Sequence, residues 1–354
     1  MQPAKPGTYR SANPLTIALL YGGVSNERDV SILSAENARS ELEAAGHTVK
    51  MIDTGAPGFV SVLEAAGAEV AFIALHGKGG EDGTIQGLLE LVGIPYTGSG
   101  VLASALAMDK HRCKAIFSSH GLKTPAGVIV RAAPGRGHEG VATQAAAVIE
   151  QVGLPCVIKP VSDGSSVGIS IVHTKDELPD ALANGFAYSD ELLGEAYVAG
   201  TEVTVPVIGN DEPEALPVIE IVPGHEFYDY ESKYRAGGSQ HIIPARLDEK
   251  TIKECEKIAI QAHVVIGCRG ISRTDLIVDP QGVPWVIETN TVPGMTATSL
   301  VPDAARAAGI STTELYDRLV AWALEDETIM AAHAKKPCLT PSGHGQSPEG
   351  GIHV

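Results

Sequence analysis

Apolar residues in the first third of the chain fall in short continuous runs separated by amphipathic stretches. LTIALLYGG (15–23), HTVKMID (47–53) and EVAFIAL (69–75) read as buried strands. Between them, 31–45 (ending at Gly46) and 57–66 repeat at helical spacing. GTIQGLLELVG (83–93) predicts a short helix, and 101–119 one longer helix. Strands alternating with helices predict an open parallel α/β sheet, in which ligands sit beyond the C-terminal ends of the strands. Two glycine-rich segments fall there, GGVSNERDVS after the first strand and HGKGGEDGT after the third.

Past GLKTPAGVIV, around Pro125, the pattern changes to a smaller α+β unit. It predicts strand 127–131, helix about 140–152, strand 154–159, a loop, strand 167–173 and helix 174–184. The run 191–209 reads as two strands broken near Gly200. A loop-like stretch, 223–241, precedes a helix over 250–266 that is apolar at Ile252, Cys255, Ile258, Ala259, Ala262 and Ile266. The hairpin TDLIVDPQGVPWVIETN (274–290) closes the core. The predicted units are 15–120, 121–197 and 198–335, with disordered tails at 1–14 and 336–354. There is no internal repeat.

Composition narrows the function class. The 354 residues are 44% hydrophobic and 19% charged, as in a soluble globular protein. The formal charge of -17 argues against a nucleic-acid partner, whose phosphates demand Lys and Arg. Five cysteines (Cys113, Cys156, Cys255, Cys268, Cys338) are scattered without a C-x-x-C pair, which fits a reducing compartment. Residues 1–14 hold no apolar core of signal-peptide length and no window approaches a membrane span, so the expectation is a cytoplasmic protein without a membrane partner.

The hairpin carries the most chemistry. Glu288 and Asn290 lie two apart and share a face; with a four-residue loop (280–283), Asp275 falls opposite Glu288. Two carboxylates and an amide oxygen on one face repel unless a cation lies between them, and hard oxygen donors select Mg²⁺ beside substrate phosphates. A solvated hairpin end is the alternative, weakened by the apolar residues between these polar ones. Arg273 shares the face of Asp275 and is either an oxyanion stabiliser or a salt-bridge partner of those acids. NTVPGMTATSL adds Gly294 and Ser299 as possible donors. The loop in IKPVSDGSSVGIS (158–170) is not G-x-x-x-x-G-K-[ST], because Lys159 precedes the glycines and a strand follows. It is either a surface hairpin or a phosphate cradle of another design.

Lys110, Lys159, the small residues Ser165, Ser166 and Gly168, and the acids Glu195 and Glu202, taken with the hairpin, resemble the ATP-grasp pattern. The likeness is closer still to the D-alanine–D-alanine ligase family. GGVSNERDVS, ALHGKGGEDGTIQGLLELVGIPYTGSG, AMDKHRCK, VIKPVSDGSSVGIS, YDYESKY, RTDLIVD and IETNTVPGMTATSLVP occur in the family's order, over 15 to about 323. The resemblance implies a Rossmann-like open parallel α/β domain at the N-terminus, a central lid domain and a C-terminal catalytic domain. It also implies that ATP phosphorylates one D-alanine and a second attacks the acyl phosphate, in peptidoglycan precursor synthesis.

By the same resemblance, Glu27 would hold the ammonium of the first D-alanine, with His76 lining that subsite, and Glu27, Ser165 and Tyr234 would form a hydrogen-bonded triad. Lys110, Lys159 and Ser166 would contact the ATP phosphates, Glu195, Ala196 and Val198 the adenine, and Glu202 the ribose. Asp275, Glu288 and Asn290 would hold two Mg²⁺ (or Mn²⁺) ions, and Arg273 and the Gly294 N–H would form the oxyanion hole. Ser299, Leu300 and Lys233 would take the second substrate. Tyr234, where D-lactate-accepting relatives carry phenylalanine, implies a dipeptide product. Homodimerisation and activation by K⁺ are further family expectations. Ser162 departs from the family, which often carries a basic residue there. Other readings are a D-lactate or D-serine ligase and a degenerate nucleotide-binding regulator; a dinucleotide oxidoreductase is disfavoured because G-x-G-x-x-G is missing after the first strand.

Overall fold

The computed structural model describes residues 13–132, 137–162, 167–223 and 239–325. The first unit is a parallel sheet of order β2-β1-β3, formed by β1 (Thr16–Tyr21), β2 (Thr48–Asp53) and β3 (Val70–Ile73). Leu19 of the central strand pairs with Met51 on one side and Phe72 on the other. Helices α1 (Arg28–Ala44), α2 (Phe59–Ala65) and α3 (Thr84–Val92) connect and follow these strands, as the alternating pattern predicts.

The long helix expected over 101–119 is two helices, α4 (Val101–Met108) and α5 (Lys110–Ser119). Asp109 breaks them apart: its backbone is extended and its carboxylate caps α5 by accepting the Arg112 N–H at 2.9 Å. An apolar period runs through both helices, so periodicity alone could not mark the break.

The second unit is an antiparallel sheet of order β4-β7-β5-β6, from β4 (Gly127–Arg131), β5 (Cys156–Pro160), β6 (Ser170–Val172) and β7 (Glu191–Ala196). Helices α6 (Gly137–Gln151) and α7 (Leu178–Phe186) cover one face through Val148, Leu178 and Leu182 against Val130, Ile158 and Leu192. The helix predicted from 174 begins instead as a short 3₁₀ turn, Lys175–Glu177, with Pro179 in the first turn of α7. Lys159 and Glu195 alternate with the helix-facing residues and stand on the opposite face.

The third unit is an antiparallel sheet of order β11-β10-β8-β12-β13, with β9 paired to β8. Its strands are β8 (Thr201–Gly209), β9 (Glu214–Ala215), β10 (Ile219–Pro223), β11 (Ser239–Ile242), β12 (Gly270–Val278) and β13 (Pro284–Asn290); its helices are α8 (Glu249–Val265), α9 (Leu300–Ala307) and α10 (Thr312–Leu324). Val203, Val205 and Val207 pack with Leu276 and Val278 against Cys255, Ile258, Ala259 and Ala262 of α8. On the other face, Ile208 and Ile271 join Ile17, Leu19, Ala35, Leu42 and Leu319 in a core shared with the first unit. The two units are also tied by His47 Nε2 against Asp317 Oδ1 at 3.1 Å.

His263 of α8 is 1% exposed and faces Ser272 Oγ through Nδ1 at 2.8 Å. Burial pushes its imidazole down to about 4. The folded state therefore resists a proton that the unfolded chain accepts near 6.5, and stability is lost as pH falls from about 6.5 toward 4, by up to about 3 kcal/mol. His263→Gln is expected to flatten that acid-side slope in urea denaturation measured across pH 4–7; an unchanged slope would disprove the assignment.

Candidate functional site

The site is built on β12. Arg273, Asp275 and Ile277 alternate with fully buried neighbours and point away from α8. Asp275 stands opposite Glu288, as the hairpin reading expected, and Arg273 stands opposite Asn290. The route to that register differs. Val278 pairs with Pro284, so the turn holds five residues (279–283) rather than four, and Ile287 bulges between Val286 and Glu288 to restore the register. Asp279 sets the longer turn: its Oδ1 accepts the N–H groups of Gln281 at 3.0 Å and Val283 at 2.9 Å, and its Oδ2 accepts Trp285 Nε1–H at 2.9 Å.

Asp275 is densely bonded. Arg273 donates Nε–H to Oδ1 at 2.9 Å and Nη2–H to Oδ2 at 2.8 Å; Asn290 Nδ2 reaches Oδ2 at 3.3 Å, and the Thr204 hydroxyl donates to Oδ1. Glu288 Oε2 lies 3.3 Å from Lys110 Nζ. No group of three His, Cys, Asp or Glu side chains gathers as a metal cluster among the described residues. The arrangement is two carboxylates and an amide, all oxygen donors of the type Mg²⁺ takes.

Helix α5 bridges the two antiparallel sheets. Its first residue, Lys110, donates its N–H to Val161 O at 3.1 Å and turns its side chain to Glu288 on β13. One turn later, Lys114 reaches Glu195 Oε2 on β7, while Lys159 on β5 reaches Glu195 Oε1. All three side chains are buried. Burial pushes Lys114 down to about 8 against the pull of Glu195, and burial would raise Glu195 but the two lysines hold it below the usual carboxylate range. Lys114 was not singled out from sequence, although its four-residue spacing from Lys110 puts both cations on one helix face.

The chain leaves β7 through Ala196, Tyr197 and Val198. The Ala196 N–H is engaged by Ala126 O at 2.8 Å. Ala196 and Val198 border a groove of about 710 Å³ together with His111, Lys114 and Trp285. Glu202 on β8 pairs with Ile277, on the strand face of Asp275.

In the first unit, Glu27 directly precedes α1 and is 4% exposed. Gly77 has φ +68, and a Cβ there would lie 2.8 Å from Glu27 Oε2, so both the backbone and the close approach require glycine. Its neighbour His76 meets Ser34 Oγ at 2.9 Å through Nε2 and Glu81 Oε1 at 3.3 Å through Nδ1. Ser34 also accepts the Met295 N–H at 3.5 Å, and the Met295 carbonyl accepts Asn37 Nδ2–H at 2.8 Å and the Tyr316 hydroxyl at 2.7 Å. These groups tie the loop holding Gly294 to α1 and α10. Ser34, Asn37 and Tyr316 escaped the sequence reading because no local signal marks them.

A Cβ on Gly294 would lie 3.0 Å from Ser299 Oγ, which receives Thr296 N–H at 3.0 Å. Ser299 precedes α9 and Leu300 begins it. Gly168 has φ +74 beside Tyr188 and Pro160. Ser165, Ser166, Lys233 and Tyr234 lie outside the described residues, as does most of the loop 223–241.

Residues 116–321 match the family model described as D-ala D-ala ligase C-terminus, and 56–99 match D-ala D-ala ligase N-terminus. A D-alanine–D-alanine ligase of Desulforamulus reducens is 49% identical over 315 residues, 88% of this chain and 99% of the relative. One from Pelotomaculum thermopropionicum is 46% identical over 312 residues, 88% and 98% of the two chains. Among solved structures, a Bacillus anthracis D-alanine–D-alanine ligase complexed with ATP aligns with TM-score 0.73 at 31% identity, over 88% of this chain and 97% of that one. VanG D-Ala:D-Ser ligase from Enterococcus faecalis aligns with TM-score 0.74 at 30% identity, over 88% and 100%.

Tyr316→Phe removes one of two donors to Met295 O and is expected to cost roughly 1 kcal/mol in urea denaturation. Asn37→Leu should cost more, about 1–3 kcal/mol, since Asn37 also contacts the Tyr316 hydroxyl at 3.0 Å. The double variant should lose less than the sum; strict additivity would show that the three groups do not act as one anchor.

Proposed function

The chain belongs to the D-alanine–D-alanine ligase family, and on that premise we propose its chemistry as follows. It is an ATP-dependent ligase that joins two D-alanines for peptidoglycan precursor synthesis. The γ-phosphoryl group of ATP passes to a carboxylate oxygen of the first D-alanine, giving D-alanyl phosphate and ADP. The amine of the second D-alanine attacks the acyl carbon, the C–O bond to phosphate breaks, and the nitrogen sheds its proton. The observation that carries this reading is the convergence of Arg273, Asp275, Glu288 and Asn290 on one strand face, with Lys110 against it.

Each residue has a part. Glu27 holds the first ammonium beside His76. Lys110 and Lys159, with Ser166, hold the phosphates; Glu195 and the backbone of Ala196 and Val198 receive the adenine, and Glu202 the ribose. Arg273 and the Gly294 N–H stabilise the oxyanion as the tetrahedral carbon forms. Ser299 and the first N–H groups of α9, at Leu300, take the carboxylate of the second substrate, with Lys233. Glu27, Ser165 and Tyr234 close the site, and Tyr234 favours an amine acceptor. Asp275, Glu288 and Asn290 are the groups that would hold two Mg²⁺ or Mn²⁺ ions, whose charge would neutralise the phosphates. The acceptor positions of Asp275 are filled by Arg273, Thr204 and Asn290, so holding a cation requires one of these donors to give up its hydrogen bond. Activation by K⁺ belongs to the same family reading.

No described helix is long and apolar enough to cross a membrane, and four buried cysteines carry free thiols; with ATP as a substrate, these support a cytoplasmic setting. Leu91 on α3 and Leu102 on α4 are 85% and 71% exposed and support a homodimer through these adjoining helices. Light scattering is expected to give twice the chain mass; a single-chain mass at micromolar concentration would reject the dimer.

Phosphate release from ATP with Mg²⁺ and D-alanine, with the product read by mass spectrometry, tests the reaction. D-Ala-D-Ala is the expected product; release only with D-serine or D-lactate would overturn the acceptor, and no release would overturn the ligase reading. Glu288→Gln is expected to lower kcat roughly a hundredfold or more, a far larger effect than its cost to folding. Full activity at ordinary Mg²⁺ would remove Glu288 from the metal set.

A further inference from the structure

Lys114 has no place in the scheme above, yet it is one of the most enclosed charged groups in the protein, with a side chain 7% exposed. It shares the Glu195 carboxylate with Lys159, one lysine on each oxygen. Burying three charges is costly, and apolar residues of similar volume would fill such a space with equal or better stability. Packing therefore does not account for the trio.

Charge does. Two cations around one anion leave the trio with one net positive charge. If Glu195 had Lys159 as its sole partner, the two would cancel, and Lys159 would offer a phosphate little attraction. Lys114 also confines Lys159 to one carboxylate oxygen. The ammonium has three donors, so the remaining ones are available to a ligand. The spacing is held rigidly: Lys114 lies one turn from Lys110 on α5, and the Lys110 N–H is fixed to Val161 O, two residues past Lys159.

We infer that Lys114 is a positioning residue for the nucleotide, one that neutralises Glu195 so that Lys159 keeps its charge for the phosphates of ATP. This rests on the nucleotide role given to Lys159 above. Because Lys114 does not reach the reacting atoms, its effect belongs on nucleotide affinity rather than on the chemical step.

The test is ATP affinity by calorimetry on the full chain, with KM and kcat measured at saturating D-alanine. Lys114→Met is expected to weaken ATP binding and raise its KM roughly tenfold, with kcat at saturating ATP within a few-fold of the parent. Lys114→Arg should keep the parent affinity. A packing role for Lys114 would instead lower thermal stability in Lys114→Met while leaving ATP affinity unchanged. Lys114→Gln repeats the comparison with a side chain that can still hydrogen-bond Glu195, should the methionine variant not fold. Unchanged ATP affinity in the neutral variants, or a loss in Lys114→Arg as large as theirs, overturns the inference. Lys159→Met separates the two levels: if it leaves ATP affinity intact, the nucleotide role of Lys159 itself fails.

Discussion

One strand, Gly270–Val278, constrains the site more than any other element. All nine of its residues pair with β8, and its last six pair with β13. A strand paired on both sides cannot slip by one residue without turning every side chain to the opposite face and breaking two ladders. Asp275 is thereby placed against Thr204 on one side and Glu288 on the other, and Arg273 against Pro206 and Asn290. The same face continues to Ile271 and Ile208, which are buried in the core shared with the first unit. The polar groups thus emerge where that shared core ends, at the mouth between units.

The chain carries a net charge of -17, yet the site gathers cations and holds each against an acid: Arg273 on Asp275, Lys110 on Glu288, Lys159 with Lys114 on Glu195. Isolated buried charges would be expensive, so the protein pairs them in advance. A polyanion binding there would exchange partners instead of desolvating bare lysines. Donors held in place before a ligand arrives are what preorganised electrostatic stabilisation needs.

A third element joins the units. The backbone N–H and C=O of Met295 are both claimed by side chains from other elements, Ser34 and Asn37 on α1 and Tyr316 on α10. Ser34 also meets His76, so the loop after β13 and the glycine-rich loop after β3 are fastened to the same helix. The proposed oxyanion donor, Gly294, is adjacent to this anchor. Its position depends on the contact between the first and third units.

The sequence by itself determined the strand–helix order of the first unit, the hairpin, and the shared face of Glu288 and Asn290, because these depend on neighbours within a few residues. Its reading of 101–119 as one helix missed Asp109, since an apolar period does not reveal which side chain takes over the first N–H groups of a new helix. The opposition of Asp275 and Glu288 was anticipated through a shorter turn than the real one, and the bulge at Ile287 made the two routes agree. Lys114 as a partner of Glu195 joins residues 81 apart, and Asn37 reaches Met295 across 258. Only the tertiary structure decided those contacts. Hydrophobic period records which face of an element is buried, whereas the partner waiting there is set by how whole sheets and helices dock.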